Sequence, residues 1–223
     1  MRPELLLLCM AALMVATVGQ WVVMDQMPFF QAFDWKTKHE WIGRCTATIV
    51  QTLCVLIIIL WKDTTAWGIP LFLGYHLFDT FHMATYERDP ASYFHHVIAV
   101  AVTGLKEMVM SAAQIEPAIQ ATMTLEVSSP PLHISWLLNK AGYGDRPWFK
   151  YVAGFAAVFF AIMRLGAFPW LVATKMDTVT AMVSSPFILL NLYWFYKIVR
   201  MALRKFGGTK AKDASNTEQS HEA

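Results

Sequence analysis

Apolar residues run in blocks of membrane-spanning length along this chain, and the polar residues gather in short clusters between them. A hydrocarbon core about 30 Å thick needs roughly 20 residues of helix. The first block is Leu5 to Met24, followed by a polar, aromatic-flanked loop from Asp25 to Arg44. Trp21, Trp35 and Trp41 beside that loop fit an interfacial aromatic belt. The second block, Cys45 to Trp61, ends at Lys62-Asp63, and the third runs from Ala66 to Tyr86. Glu87-Arg88-Asp89-Pro90 predicts a turn, because proline disfavours helix in the residue before it. The fourth block starts near Tyr93 and passes Val109. The fifth, Gln114 to Leu138, is interrupted by Ser128-Ser129-Pro130-Pro131. Two adjacent prolines do not sit quietly inside a helix, so a broken or re-entrant helix lining a shielded cavity is expected there. Trp148 to Ala173 and Val179 to Leu203 form the last two blocks, and the chain turns polar after Gly207.

Composition agrees with an all-α, polytopic membrane helical bundle of about seven transmembrane helices. The AVILMFWYC residues make up 56% of the chain and the charged residues 15%, against about 25% charged in soluble domains. Mean hydropathy is +0.40. Arg2 and the Ala16-Thr17-Val18 stretch give a faint signal-peptide look, but the first block is long enough to span and is read as a transmembrane helix. With seven spans, one side collects Lys36, Lys38, Arg44, Arg88, Lys140, Arg146, Lys150 and the cluster from Arg200 to Lys212. The other side holds Arg2, Lys62, Lys106 and Lys175. The positive-inside rule then places the C-terminus in the cytosol. The formal charge of +2 comes without a basic stripe, so no nucleic-acid partner is expected. Cys9, Cys45 and Cys54 follow no zinc or disulfide spacing.

Ionisable residues inside spans are expensive, about 2.5–3.5 kcal/mol even on the lenient insertion scale, and mark function by default. Here they are His76, Asp79, His82, His95, His96, Glu126 and Arg164. His76, Asp79 and His82 are spaced by three, so they drift around one helix face. Asp79 could fix the tautomer of a histidine, while metal binding by this trio has weak support and no metal or cofactor is expected. His95 and His96 point about 100° apart on a helix, so at most one should face a given cavity. Either could serve as base or acyl acceptor, or could hydrogen-bond between helices. Glu126 and Arg164 pair on paper as a salt bridge joining the fifth and sixth spans; alternatively, Arg164 meets a lipid headgroup.

These residues sit in motifs that resemble those of TLC-domain proteins. Gly74-Tyr75-His76-Leu77-Phe78-Asp79 and Phe94-His95-His96-Val97 resemble the family's central signature. So does Leu125-Glu126-Val127-Ser128-Ser129-Pro130 with Trp136-Leu137-Leu138 behind it. Arg164 after Phe159-Phe160-Ala161-Ile162-Met163, and Leu190-Asn191-Leu192-Tyr193-Trp194-Phe195, match the last two spans and bring Asn191 into the buried polar set. The resemblance implies a TLC domain over residues 35–205, with six helices forming a barrel around a lipid-accessible cavity. Residues 1–34 would add an N-terminal helix and loop, and 206–223 a disordered cytosolic tail.

The family includes ceramide synthases, in which paired histidines carry acyl transfer from acyl-CoA; here they match His95 and His96. The stretch Gln120-Ala121-Thr122-Met123-Thr124-Leu125-Glu126 lacks the synthases' His-Asp pair, and Gln51 stands near a position where the branch often has histidine. The resemblance is therefore to the non-synthase branch. It implies a protein that binds membrane lipid and influences lipid composition, transport or trafficking, in the endoplasmic reticulum or a related endomembrane. An acyltransferase with acyl-CoA as co-substrate, or a structural subunit with membrane-protein partners or in a homo-oligomer, are the alternatives.

Overall fold

Asp34-Trp35-Lys36-Thr37 and Asp177-Thr178-Val179-Thr180 share one pattern, an aspartate followed three residues later by threonine. Each starts a long helix in the same way. Thr37 donates its backbone N–H and hydroxyl to the two Asp34 carboxylate oxygens at 2.9 and 2.8 Å. Thr180 does the same to Asp177 at 3.0 and 2.7 Å. A side-chain acceptor thus satisfies a donor that the first helical turn leaves over. The computed structural model describes residues 3–61, 68–84, 90–109 and 112–207.

Helix α1 is Pro3–Met24, α2 is the single turn Pro28–Gln31, and α3 is Trp35–Trp61. The Asp34 cap explains why α3 begins ten residues before the apolar block at Cys45: much of the expected Asp25–Arg44 loop is helix. Helices α4 (Ile69–Met83) and α5 (Pro90–Val109) follow. Pro90 opens α5 rather than ending a turn, since a first-turn proline gives up no helical hydrogen bond. Glu87 to Asp89, Lys62-Asp63 and the tail after Gly207 lie outside the described residues. Helix α6 (Ala112–Val127) stops at Ser128, and α7 (Ser129–Leu138) restarts at once with Pro130 in its first turn. The break expected at Ser-Ser-Pro-Pro is present. After α7 a wide turn, Asn139–Tyr143, places Gly142 at φ +87°, where a side chain would be strained. Helix α8 (Phe149–Phe160) passes through a second wide turn, Ala161–Ala167, into α9 (Phe168–Lys175), and α10 is Thr178–Gly207.

The protein is a helical membrane protein, with no strand among the described residues. Among the described residues, three stretches, 4–24, 149–175 and 178–204, are long and apolar enough to cross a bilayer. Helix α3 packs on α4, α4 on α5, α5 on α10, and α10 on α8 and α9. Helix α9 then meets α6, α8 meets α7, and both α6 and α7 return to α3. This closes a ring of six helical passages. Helix α1 stands outside, against α4 and α3. Gly74 allows that approach, since a Cβ there would come within 3.1 Å of the Cys9 Cβ. Leu7, Val15, Val18 and Val22 on α1, and Phe81, Val97, Phe155, Val158 and Leu189 on the ring, are exposed. Such an apolar rim suits lipid rather than water. A small apolar knot of Phe30, Trp41 and Ile42, with Trp21 beside it, pins the segment between α1 and α3 through the buried Phe30.

Candidate functional site: a polar floor in a helical ring

Inside the ring lies a cavity of about 710 Å³, lined by residues from α3, α4, α5, α6, α7, α8 and α10. Its walls include Ala47, Met83, Leu132, Ala153, Ala157, Phe160 and Met201. Arg44, Lys150 and Lys197 line it toward one end of those helices. From Trp194 to Ala202 on α10 the lining rises about 12 Å, so it reaches below that basic end. The deeper lining is polar: Gln51, Tyr75, Asp79, His95, His96, Glu126, Ser129 and Arg164.

The broken fifth passage organises one half of this floor. Stopping α6 at Ser128 leaves two adjacent hydroxyls, on Ser128 and Ser129. The Arg164 guanidinium donates to both, from Nε to Ser128 Oγ at 2.8 Å and from Nη2 to Ser129 Oγ at 2.6 Å. Its Nη1 donates to Asn191 Oδ1 at 3.1 Å. Phe160 and Trp194 rings lie 5.0 and 5.6 Å from the guanidinium carbon. Arg164 sits within the wide turn 161–167, a local departure from the α-helical ladder of the kind found at functional sites. The three donors and two aromatic faces use the planar fork that only arginine offers.

Glu126 occupies the other half. No ion pair within 4 Å joins it to Arg164, so the expected salt bridge is not formed; the Ser128, Ser129 and Asn191 oxygens take the guanidinium instead. Glu126 accepts from Gln51 Nε2 at 2.6 Å, and His76 Nε2 lies 4.0 Å from its other oxygen. His76 is fully buried behind the lining, and its Nδ1 lies 3.0 Å from the Phe72 carbonyl. A carbonyl only accepts, so that nitrogen carries the proton and Nε2 holds the lone pair.

Both paired histidines line the cavity, against the expectation that only one could. They still reach different helices, as their angular offset requires. His96 Nε2 is 3.3 Å from Asp79 Oδ2 on α4, while His95 packs edge-on against Phe187 and Trp194 of α10. The rings of His76, His95 and His96 have centroids 4.9–5.6 Å apart. Asp79 thus orients a histidine, but one on the neighbouring helix rather than its own.

His82 is not in this group. It lies off the cavity with His39, their ring nitrogens 3.4 Å apart, amid Trp21, Trp35 and Phe78. The sequence reading passed over His133, which lines the cavity 3.4 Å from the Thr48 hydroxyl, although a histidine within a proline-broken span was a usable signal. It also left out Tyr75, and treated Gln51 only as a departure from a family pattern. Both are uncharged and raise no alarm in an apolar run.

Donor atoms of His76, His95 and Glu126 lie within 4.8 Å of one another, the spacing of a possible metal ligand set. Among the described residues, His76 Nε2, His95 Nδ1, His96 Nδ1 and Glu126 Oε1 are buried without a hydrogen-bond partner.

Compared with known proteins, the chain matches one family model, the TLC domain of TRAM, LAG1 and CLN8 proteins, over residues 59–200. The match takes in the cavity from Tyr75 to Trp194 and leaves Arg44, Ala47 and Gln51 of α3 outside. No curated protein and no solved structure matches.

Proposed function

The chain belongs to the TLC-domain family of membrane lipid-related proteins, and on that footing we propose that it binds a lipid in the cavity of its helical ring and so influences membrane lipid composition, transport or trafficking. The observation that carries this is the cavity itself: about 710 Å³, apolar on its walls and polar on its floor. That volume is within the ordinary range for small-ligand sites. The apolar walls suit an acyl chain, and the floor offers histidines and a guanidinium to a headgroup or carboxyl oxygen. Endoplasmic reticulum or a related endomembrane, with the basic end in the cytosol, is the location that family and charge bias support.

Native mass spectrometry of the full chain tests it. Wild-type protein should carry lipid through purification. Gly154→Phe, at a lining position where a Cβ meets nothing within 4 Å, should lower that occupancy several-fold. Wild-type protein that repeatedly retains no lipid would sink the reading.

A second reading, acyl transfer from acyl-CoA, has one specific observation in its favour: the Asp79–His96 contact. A carboxylate on Nε2–H leaves Nδ1 as the basic nitrogen, the arrangement that activates nucleophiles elsewhere. In that reading Nδ1 takes the proton of an acceptor hydroxyl or amine as the acceptor attacks the thioester carbonyl. The C–S bond breaks, and the CoA thiolate leaves and receives that proton. Acyl-CoA turnover by the wild type that is lost in His96→Ala would select this reading.

A further inference from the structure

Three atoms able to ligate a metal converge at the base of the floor. They are His76 Nε2 from α4, a ring nitrogen of His95 from α5 and an oxygen of Glu126 from α6, all within 4.8 Å of one another. All three residues are buried. Orphaned buried polar atoms are costly and call for a partner. Here the mismatch has one sign. A histidine nitrogen holding a lone pair and a carboxylate oxygen both accept, so neither can satisfy the other.

The surroundings prepare these atoms for a cation. The Phe72 carbonyl fixes the His76 tautomer so that Nε2 points its lone pair away from its own helix. Gln51 holds one Glu126 oxygen at 2.6 Å and leaves the other without a hydrogen bond. Such outer contacts are how proteins orient metal ligands. Arg164, the nearby cation, directs one donor from each of its three nitrogens to Ser128, Ser129 and Asn191. We propose that His76, His95 and Glu126 form a three-ligand site for a divalent transition metal, zinc first among them, with its fourth position toward the lipid cavity.

Two imidazoles and a carboxylate are an established zinc donor set, and three protein ligands leave a position for water or substrate. Neighbouring ligand atoms on a tetrahedral zinc stand roughly 3.3 Å apart, against 4.0 Å for His76 Nε2 and Glu126 Oε1. Side-chain rotation of less than about an ångström closes that gap. The cation removes the mismatch by serving all three acceptors at once. Its open position, bounded by the cavity-lining His95 and Glu126, would take an oxygen donor: a lipid carboxylate, ester carbonyl or phosphate. The site stands on its ligand geometry whether or not the cavity holds lipid.

The test uses the full chain in detergent, stripped with chelator, reloaded with zinc, desalted and measured by elemental mass spectrometry. About one zinc per chain is expected for the wild type. Zinc affinity should weaken by about tenfold or more in Glu126→Gln and His76→Asn, while His82→Asn keeps wild-type affinity. Cobalt loaded into unaltered protein should give the visible bands of a low-coordinate N/O site, a readout that needs no variant to fold. Less than about a tenth of a zinc per wild-type chain, or equal zinc in wild type and both ligand variants, would each overturn the assignment. Bound lipid measured on the same samples is independent of these outcomes, so the lipid reading can fail or hold separately.

Discussion

The molecule has two clusters of buried histidines, and they differ in what surrounds them. His39 and His82 pack against each other and against aromatic rings, outside the cavity. His76, His95 and His96 stand among Asp79, Glu126 and Arg164, at the bottom of it. In the outer pair one ring nitrogen faces the other, so a neutral donor can meet a neutral acceptor across that contact. In the inner trio the Phe72 carbonyl and the Asp79 carboxylate set which nitrogen of His76 and of His96 carries the proton. Number of histidines does not distinguish a site from packing. The presence of acids, a fixed cation and an accessible void does.

Removing the cation should break the inner cluster hardest. Arg164→Ala leaves Ser128, Ser129 and Asn191 without their donor and takes the tie from the α6–α7 break. A loss of about 3 kcal/mol or more is expected from stranding several buried groups, read as a large drop in melting temperature in detergent. Arg164→Lys should fail to restore it, because an ammonium cannot supply three donors in one plane. A lysine variant that melts like wild type would remove the fork from the argument.

Converting the inner cluster toward the outer one gives a smaller effect. Asp79→Asn keeps shape but removes the charge that holds His96 Nε2–H, and should cost about 1 kcal/mol in stability. Its larger consequence should be chemical, a several-fold change in the lipid profile seen by mass spectrometry. Unchanged lipid content would show that His96 orientation is irrelevant to binding. His82→Ala should be milder still, near 0.6 kcal/mol, the mean for polar contacts between membrane helices. Bound lipid should not change, and a shift as large as that of Asp79→Asn would erase the contrast between the clusters.

Much of this was legible in the chain before folding, and the failures follow a pattern. Charges and histidines inside apolar blocks stand out because the bilayer makes them expensive, so His76, Asp79, His95, His96, Glu126 and Arg164 were singled out one by one, while Asn191 entered through the motif of the last span. The Ser-Ser-Pro-Pro break was found because proline's missing N–H is a local fact. Pairings were not found, since they depend on which helices are neighbours in space. Opposite charges suggested Glu126 with Arg164. The fold instead sets Glu126 beside Gln51 across the ring and gives Arg164 the hydroxyls exposed by the break. Helix starts also escaped the hydrophobic pattern, because a cap lies in polar sequence by nature. That is why α3 begins at Trp35 while its apolar block begins at Cys45.

The two caps supply the mildest prediction and a control lying outside the membrane. Hydrogen bonds from Thr180 hold the Asp177 carboxyl below the usual carboxylate range, and those from Thr37 do the same for Asp34. A carboxyl whose folded pKa is depressed contributes stability that is fully present above its unfolded pKa, and that stability is lost as pH falls through the folded value. The increment from Asp177 should therefore be complete at neutral pH and begin to fade below about pH 4. Both carboxylates are exposed to water, which keeps the effect small. In melting curves, Asp177→Ala should lie slightly below wild type at pH 7, and the two should converge as the pH approaches 3. A difference that stayed constant with pH would mean that Asp177 acts through shape rather than through its charged cap.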